Sequence, residues 1–322
     1  MSVEERVPER FDVRDFARTA VGSHRGEIDL EAFAEHPLTD RTVRLLAYLR
    51  ELERSTMTYL RNVLVTPTHK DARVTAFLTT WAFEKYWIAD ALEVIVRAHG
   101  VDPTAIEELP RLKAIALELS ERATPIVESF RANAIGPDVI GVHLTTVAVD
   151  EWMTEAAYLR LKTLDPNPEL VSLLERILEV KKRHRAFVEP DARARLTASR
   201  RAQNLARRAL PRTPWPIGAA SVQQSASAFF YEELLDAELT AGVDAKVREL
   251  PGLGALHVVR AARERALAPS RGAGHALGRR LAGLRHGLAP ARAARSTRTT
   301  RSTRTTSTSS TTSTSTKGGA TG

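Results

Sequence analysis

Leu170-Val-Ser-Leu-Leu174-Glu-Arg-Ile177-Leu-Glu-Val-Lys181-Lys-Arg-His184-Arg-Ala-Phe187-Val188 is the stretch whose reading decides the fold. Leu170, Leu174, Ile177, Lys181, His184 and Val188 recur at steps of four and three, which predicts one face of a helix beginning near Glu169. Lys181 and His184 therefore fall where apolar side chains belong. A buried charge without a partner is costly, so these two must meet anions inside the protein. The alternative places the stripe one position over and leaves Lys181-Lys-Arg-His184-Arg as a solvated basic face.

Outward from this segment the chain reads as helix after helix. Thr39-Asp40 offers an N-cap for a helix over about 41–65, ended by Pro67, with Leu46, Leu49, Glu53, Met57, Leu60 and Leu64 on one face. A second helix, from near His69 to Gly100, carries Val74, Phe77, Trp81, Glu84, Ile88 and Leu92. An amphipathic helix is predicted over about 111–132, and a further one over about 138–163, closed by Asp165-Pro-Asn-Pro168. Pro190 is expected to kink the segment that opens this section without ending it, with helix continuing to Leu210. After the Pro211–Gly218 turn, shorter helices are predicted over 221–238, 241–249 and 254–267.

Three more polar residues lie on or beside apolar stripes, Glu53, Glu84 and Glu151, and the bulky Trp87 stands one turn after Glu84. Each also has a plainer reading. Glu53 beside Arg50 and Arg54 reads as a surface residue, and Glu151 with Glu155 as a solvated pair.

Taken with their helix order, these residues resemble the ferritin-like superfamily of di-iron carboxylate bundles over about residues 40–209. That pattern takes one Glu from each of two helices and Glu-x-x-His from each of the other two. The resemblance implies an all-α, four-helix bundle with a crossover helix. It assigns Glu53 (second choice Glu51), Glu84 with Trp87 in the histidine place, Glu151 (second choice Glu155), and Lys181 in the glutamate place before His184. Phe187 also suits the last helix. The metal set is thus reduced to Glu53, Glu84, Glu151 and His184. Trp87 is no ligand, and the ammonium of Lys181 replaces metal charge in the core, pairing with Glu84 and Glu151 while His184 bonds the remaining oxygen. His69, His99 and His143 are expected in exposed or capping roles.

Composition agrees with an all-helical chain: 43% hydrophobic, 6% aromatic and no cysteine, which excludes disulfides, thiolate metal sites and thiol catalysis. The sequence shows no apolar signal core, no stretch long enough to span a membrane and no nucleic-acid, phosphate-loop or Gly-x-Ser-x-Gly motif, and a cytoplasmic location is expected. The net charge of +8 is local. Residues 258–322 carry thirteen Lys and Arg against Glu264, which leaves residues 1–257 four charges negative. The expected organisation is an irregular segment over 1–37, the bundle over 38–210, a small helical segment over 211–267 and a disordered Ser/Thr/Arg tail over 268–322 that reads like a shifted frame.

Three functions follow. The first is a bundle without a working metal site, serving as a structural or interaction protein, with homo-oligomerisation open. The second is an iron- or manganese-dependent oxidoreductase of the di-iron oxidase or acyl desaturase type with altered ligands. The third is binding to an anionic surface, lipid or another acidic partner, through the Arg200–Trp215 basic-aromatic patch or the tail.

Overall fold

The computed structural model describes residues 11–103 and 136–269, which belong to one compact unit, Met1–Pro269. The helix predicted over 111–132, the first ten residues and the tail from 270 lie outside the described residues. Ten α-helices and no strand occur among the described residues.

Four helices are long: α3 (Asp40–Leu64), α4 (Ala72–Ala98), α5 (Asp138–Leu164) and α6 (Pro168–Ala198). Their ends follow from local chemistry. The Thr39 hydroxyl accepts the Thr42 N–H, Asp71 caps α4 through Val74 N–H, and Asn167 caps α6 with Pro168 in the first turn. Gly100 stops the chain after α4 at φ +74°, a conformation open to a residue without Cβ.

End-to-end contacts fix the helix directions. Thr42, at the start of α3, donates to Asp165 just past α5 (2.6 Å), while Tyr59 near the end of α3 donates to the His143 carbonyl at the start of α5. The two helices are therefore antiparallel. Arg73 at the start of α4 pairs with Asp191 late in α6 (2.7 Å), and Asp71 with Arg195, so α4 and α6 are also antiparallel. Short turns make α3–α4 and α5–α6 hairpins, which leaves α4 and α5 parallel. The end of α4 at Ala98 and the start of α5 at Asp138 therefore lie at opposite ends of the bundle, about 40 Å apart along a helix of 27 residues.

The remaining helices close the ends and sides of the bundle. Short helices α1 (Val13–Arg18) and α2 (Leu30–Glu35) sit in an N-terminal strap against α4. Both lie within the segment expected to be irregular; the first starts at Asp12, whose side chain accepts from Arg14 and Asp15 N–H, and the second at Asp29, which caps Glu31 and Ala32 N–H. Helix α7 (Arg200–Ala209) is separate from α6. The sequence predicts one continuous helix here, but Ser199 is extended (φ −140°, ψ 112°), caps Ala202 N–H and donates to Asp138 (2.6 Å), so its hydroxyl takes over where the helix breaks. Pro190 lies within α6, as expected. Helices α8 (Gln224–Glu233), α9 (Ala237–Arg248) and α10 (Val258–Leu267) pack Phe230, Tyr231, Val247 and Val259 into the same apolar core as the long helices. No helix among the described residues is long and apolar enough to cross a membrane.

The predicted α3 stripe is displaced at one position. Met57 is 41% exposed and Thr56 is buried in its place, because Glu53, Thr56 and Leu60 form the inward row.

Candidate functional site

Helices α3 to α6 each bring charge to the centre of the bundle. Glu53, Glu84, Lys85, Glu151, Lys181 and His184 are all between 0 and 1% exposed, as is Asp150. Lys181 Nζ lies 3.0 Å from Glu53 Oε1 and 3.5 Å from Glu151 Oε2, and donates to Thr154 Oγ1 at 2.9 Å. Lys85 Nζ lies 3.0 Å from the other oxygen of Glu53, 3.3 Å from the other oxygen of Glu151 and 2.8 Å from Asp150 Oδ2. Two carboxylates thus bridge two ammonium groups. The bridges are completed by Tyr158, whose hydroxyl donates to Glu53 (3.0 Å), and by the Trp81 indole N–H, which donates to Glu151 (2.7 Å).

His184 extends the network toward the N-terminal strap. Its Nε2 lies 2.8 Å from Glu84 Oε2 and its Nδ1 3.3 Å from Glu151 Oε2. Both neighbours are carboxylates, an arrangement that favours a proton on each ring nitrogen and hence the imidazolium form. Burial opposes that charge, but Glu151 and Glu84 together hold the His184 pKa above its ordinary value. Glu84 Oε1 accepts the Val21 N–H of the strap at 2.7 Å and meets Arg183 at 3.3 Å. At the opposite side Asp150 Oδ1 accepts the Ile217 N–H at 2.8 Å.

The electrostatics follow from this arrangement. Burial pushes Glu53 and Glu151 toward their neutral forms, yet the two lysines outweigh it and hold both pKa values below the usual range, Glu151 well below. For Asp150 burial wins over Lys85 and the pKa is raised. Lys85 is raised well above its ordinary value: burial alone would lower it, but Asp150, Glu53 and Glu151 reverse the sign. Four carboxylates (Glu53, Glu84, Asp150, Glu151) face four cations (Lys85, Lys181, Arg183, His184), so the cluster closes with balanced charge.

Of the residues expected at this site, Glu53, Glu84, Glu151, Lys181 and His184 come together. Two details differ from expectation. Lys181 pairs with Glu53 and Glu151, not Glu84, because His184 and Arg183 already cover Glu84. Trp87 is not in the core. It is half-buried on the flank of α4, in edge contact with Tyr86 and Phe83, because the inward position of that turn belongs to Lys85. The second choices lie elsewhere: Glu51 pairs with Arg50 and Glu155 with Arg185.

Lys85, Asp150 and the half-buried Arg183 are the members the sequence pattern does not single out. Lys85 sits four residues after Trp81 and three before Ile88, both fully buried, and that spacing was the available signal. Asp150 is hidden because α5 buries residues on nearly every side, so no stripe marks its inward face.

These residues do not fit a pair of iron or manganese ions. Glu53 and Glu151 already bridge two ammonium ions, whose positive charge opposes any divalent cation between them. No group of three or more His, Asp or Glu side chains among the described residues is arranged to hold a metal.

Other sequence expectations resolve as follows. Trp215 is 2% exposed and its indole N–H donates to the Leu210 carbonyl, so the Arg200–Trp215 patch has no surface aromatic. His99 caps α4, bonded to Ile95 O and accepting Leu38 N–H. His143 is half-buried against Thr68 (2.8 Å), and burial lowers its pKa to about 4, which differs from an exposed role. No protein-family model, curated protein or solved structure matches this chain.

Proposed function

We propose that the chain is a ferritin-like helical bundle in which two lysines have taken over the charge balance of a di-metal centre, and that it serves as a structural or interaction protein and not as a metal-dependent oxidase. The observation that carries this reading is the double bridge: Glu53 and Glu151 each contact both Lys85 and Lys181. The antiparallel α3–α4 and α5–α6 hairpins with parallel α4 and α5 support the ferritin-like assignment, since that group joins its two helix pairs by one long crossover.

A redox role needs a metal or cofactor that reaches a substrate. All network members except the half-buried Arg183 are sealed from solvent, and each cation is engaged by at least one carboxylate. Outside, Met57, Phe83 and Tyr86 leave large apolar surface exposed along α3 and α4, which suits contact with a partner. Elemental analysis of the protein purified from cells supplied with iron and manganese tests the reading. Substoichiometric metal is expected; one or two tightly held ions per chain would overturn it and favour the oxidoreductase.

A further inference from the structure

A cleft of about 510 Å³ lies between α3, α4 and the loop from Thr213 to Ser221, on the surface side of the ion network. Its size is that of clefts which enclose a small organic ligand. Met57 and Tyr86, 41% and 47% exposed, present apolar surface there, and Tyr59, Ile217 and Pro214 add more. The charged lining is uneven. Glu51, the one acid among its lining residues, is buried and already held by Arg50 (3.1 Å), Ser55 (3.2 Å) and Ser221. Arg54 and Arg61 are both exposed cations on the α3 side. Arg61 donates to the Thr58 hydroxyl at 3.0 Å, which engages one of the five N–H donors of its guanidinium.

The loop wall is built to stay in place. Gly218 has φ +95°, and a Cβ there would stand 2.7 Å from Ser55 Cβ, so the backbone packs directly on α3. Ile217 is tied to the core by its bond to Asp150. A second cavity, near Ser23 and Glu179, is less suited: its Arg176 and Arg183 are spent on Glu27 and Glu84.

We propose that this cleft binds an amphiphilic organic anion, with an apolar body against Met57, Tyr86 and Ile217 and an anionic head on Arg61. An apolar wall beside a guanidinium recognises that combination, because a charge-assisted hydrogen bond fixes the head while burial of the body supplies affinity. The inference is independent of whether the core holds metal.

The test uses the full chain and the fluorescent anion 1-anilinonaphthalene-8-sulfonate. Saturable binding at one site per chain is expected, displaced by decanoate and at least about tenfold less well by decanol, as loss of a charged hydrogen bond implies. Arg61→Glu and the cleft-filling Thr58→Trp should each weaken binding by about tenfold or more, while Arg61→Lys keeps most of it. Unchanged unfolding midpoints would verify that the variants remain folded. Equal binding by wild type, Arg61→Glu and Thr58→Trp would place the probe outside the cleft and overturn the proposal. Decanol competing as well as decanoate would also overturn it, because the anion would then not be recognised.

Discussion

Glu53 of α3 and Glu151 of α5 share the same two partners: one oxygen of each faces Lys85 and the other faces Lys181. Neither carboxylate belongs to one lysine. This sharing decides how the core responds when a cation is removed, since the surviving ammonium still touches both acids.

Lys181→Ala and Lys85→Ala should each destabilise the protein by about 3–5 kcal/mol, the usual result of stranding a buried charge. The double variant should cost more than the sum by about 1–3 kcal/mol, because each lysine covers for the other. Urea unfolding of the four proteins measures this cycle. Additive losses would mean that the two cations act separately.

His184 gives the network a pH signature. Its folded pKa is raised above 6.5, so its contribution is fully present below about pH 6.5 and is lost as pH rises through the folded value. Glu53 and Glu151 have the opposite sign: their contribution is present above about pH 4.5 and is lost as pH falls through their lowered values. His184→Gln should therefore be least stable relative to wild type in the mildly acidic range, and the gap should narrow in alkali. Thermal unfolding of both proteins from pH 5 to 10 tests it; a constant gap would refute the imidazolium.

His143 acts in the reverse sense. Its pKa is lowered to about 4 by burial, so the fold favours the neutral ring. Stability should decline as pH falls from about 6.5 toward 4, by roughly 2–3 kcal/mol in all. His143→Gln, which can still bond Thr68, should remove that decline. Comparing the acid limbs of the two unfolding curves shows whether it does.

Gly218→Ala should lower stability by about 1–3 kcal/mol, the range for a side chain held at positive φ. Besides the clash with Ser55, the added Cβ would stand 3.3 Å from Leu52 Cα, which is backbone and cannot turn aside. A thermal midpoint equal to wild type would show that the 213–221 loop shifts freely.

Much of this is legible in the sequence. Thr39, Asn167-Pro168 and Gly100 mark helix ends through chemistry confined to one turn, and they mark them correctly. Glu53, Glu84, Glu151, Lys181 and His184 stand out because a charge on an apolar stripe needs a local explanation. What stayed hidden depends on neighbours distant in sequence. Lys85 looks like an ordinary helix lysine until Glu53 and Asp150 arrive from other helices. Trp87 looks like core until Lys85 takes the inward position. Ser199 looks like mid-helix until Asp138 accepts its hydroxyl. Partner choice within the cluster was unreadable for the same reason: Arg183 and Val21 claim one oxygen of Glu84, and neither is near it in the chain.

The same cluster makes the four long helices keep step. Each contributes at least one member, and every member meets a partner on another helix or on the flanking strap and loop. Sliding α6 by one turn, about 5.4 Å, would carry Lys181 past both acids and strand them in an apolar interior. Leucines tolerate such a shift because one apolar contact resembles the next, whereas an ammonium and a carboxylate do not. The bundle therefore has one alignment in which its charges cancel, and misaligned packings of the same helices are penalised.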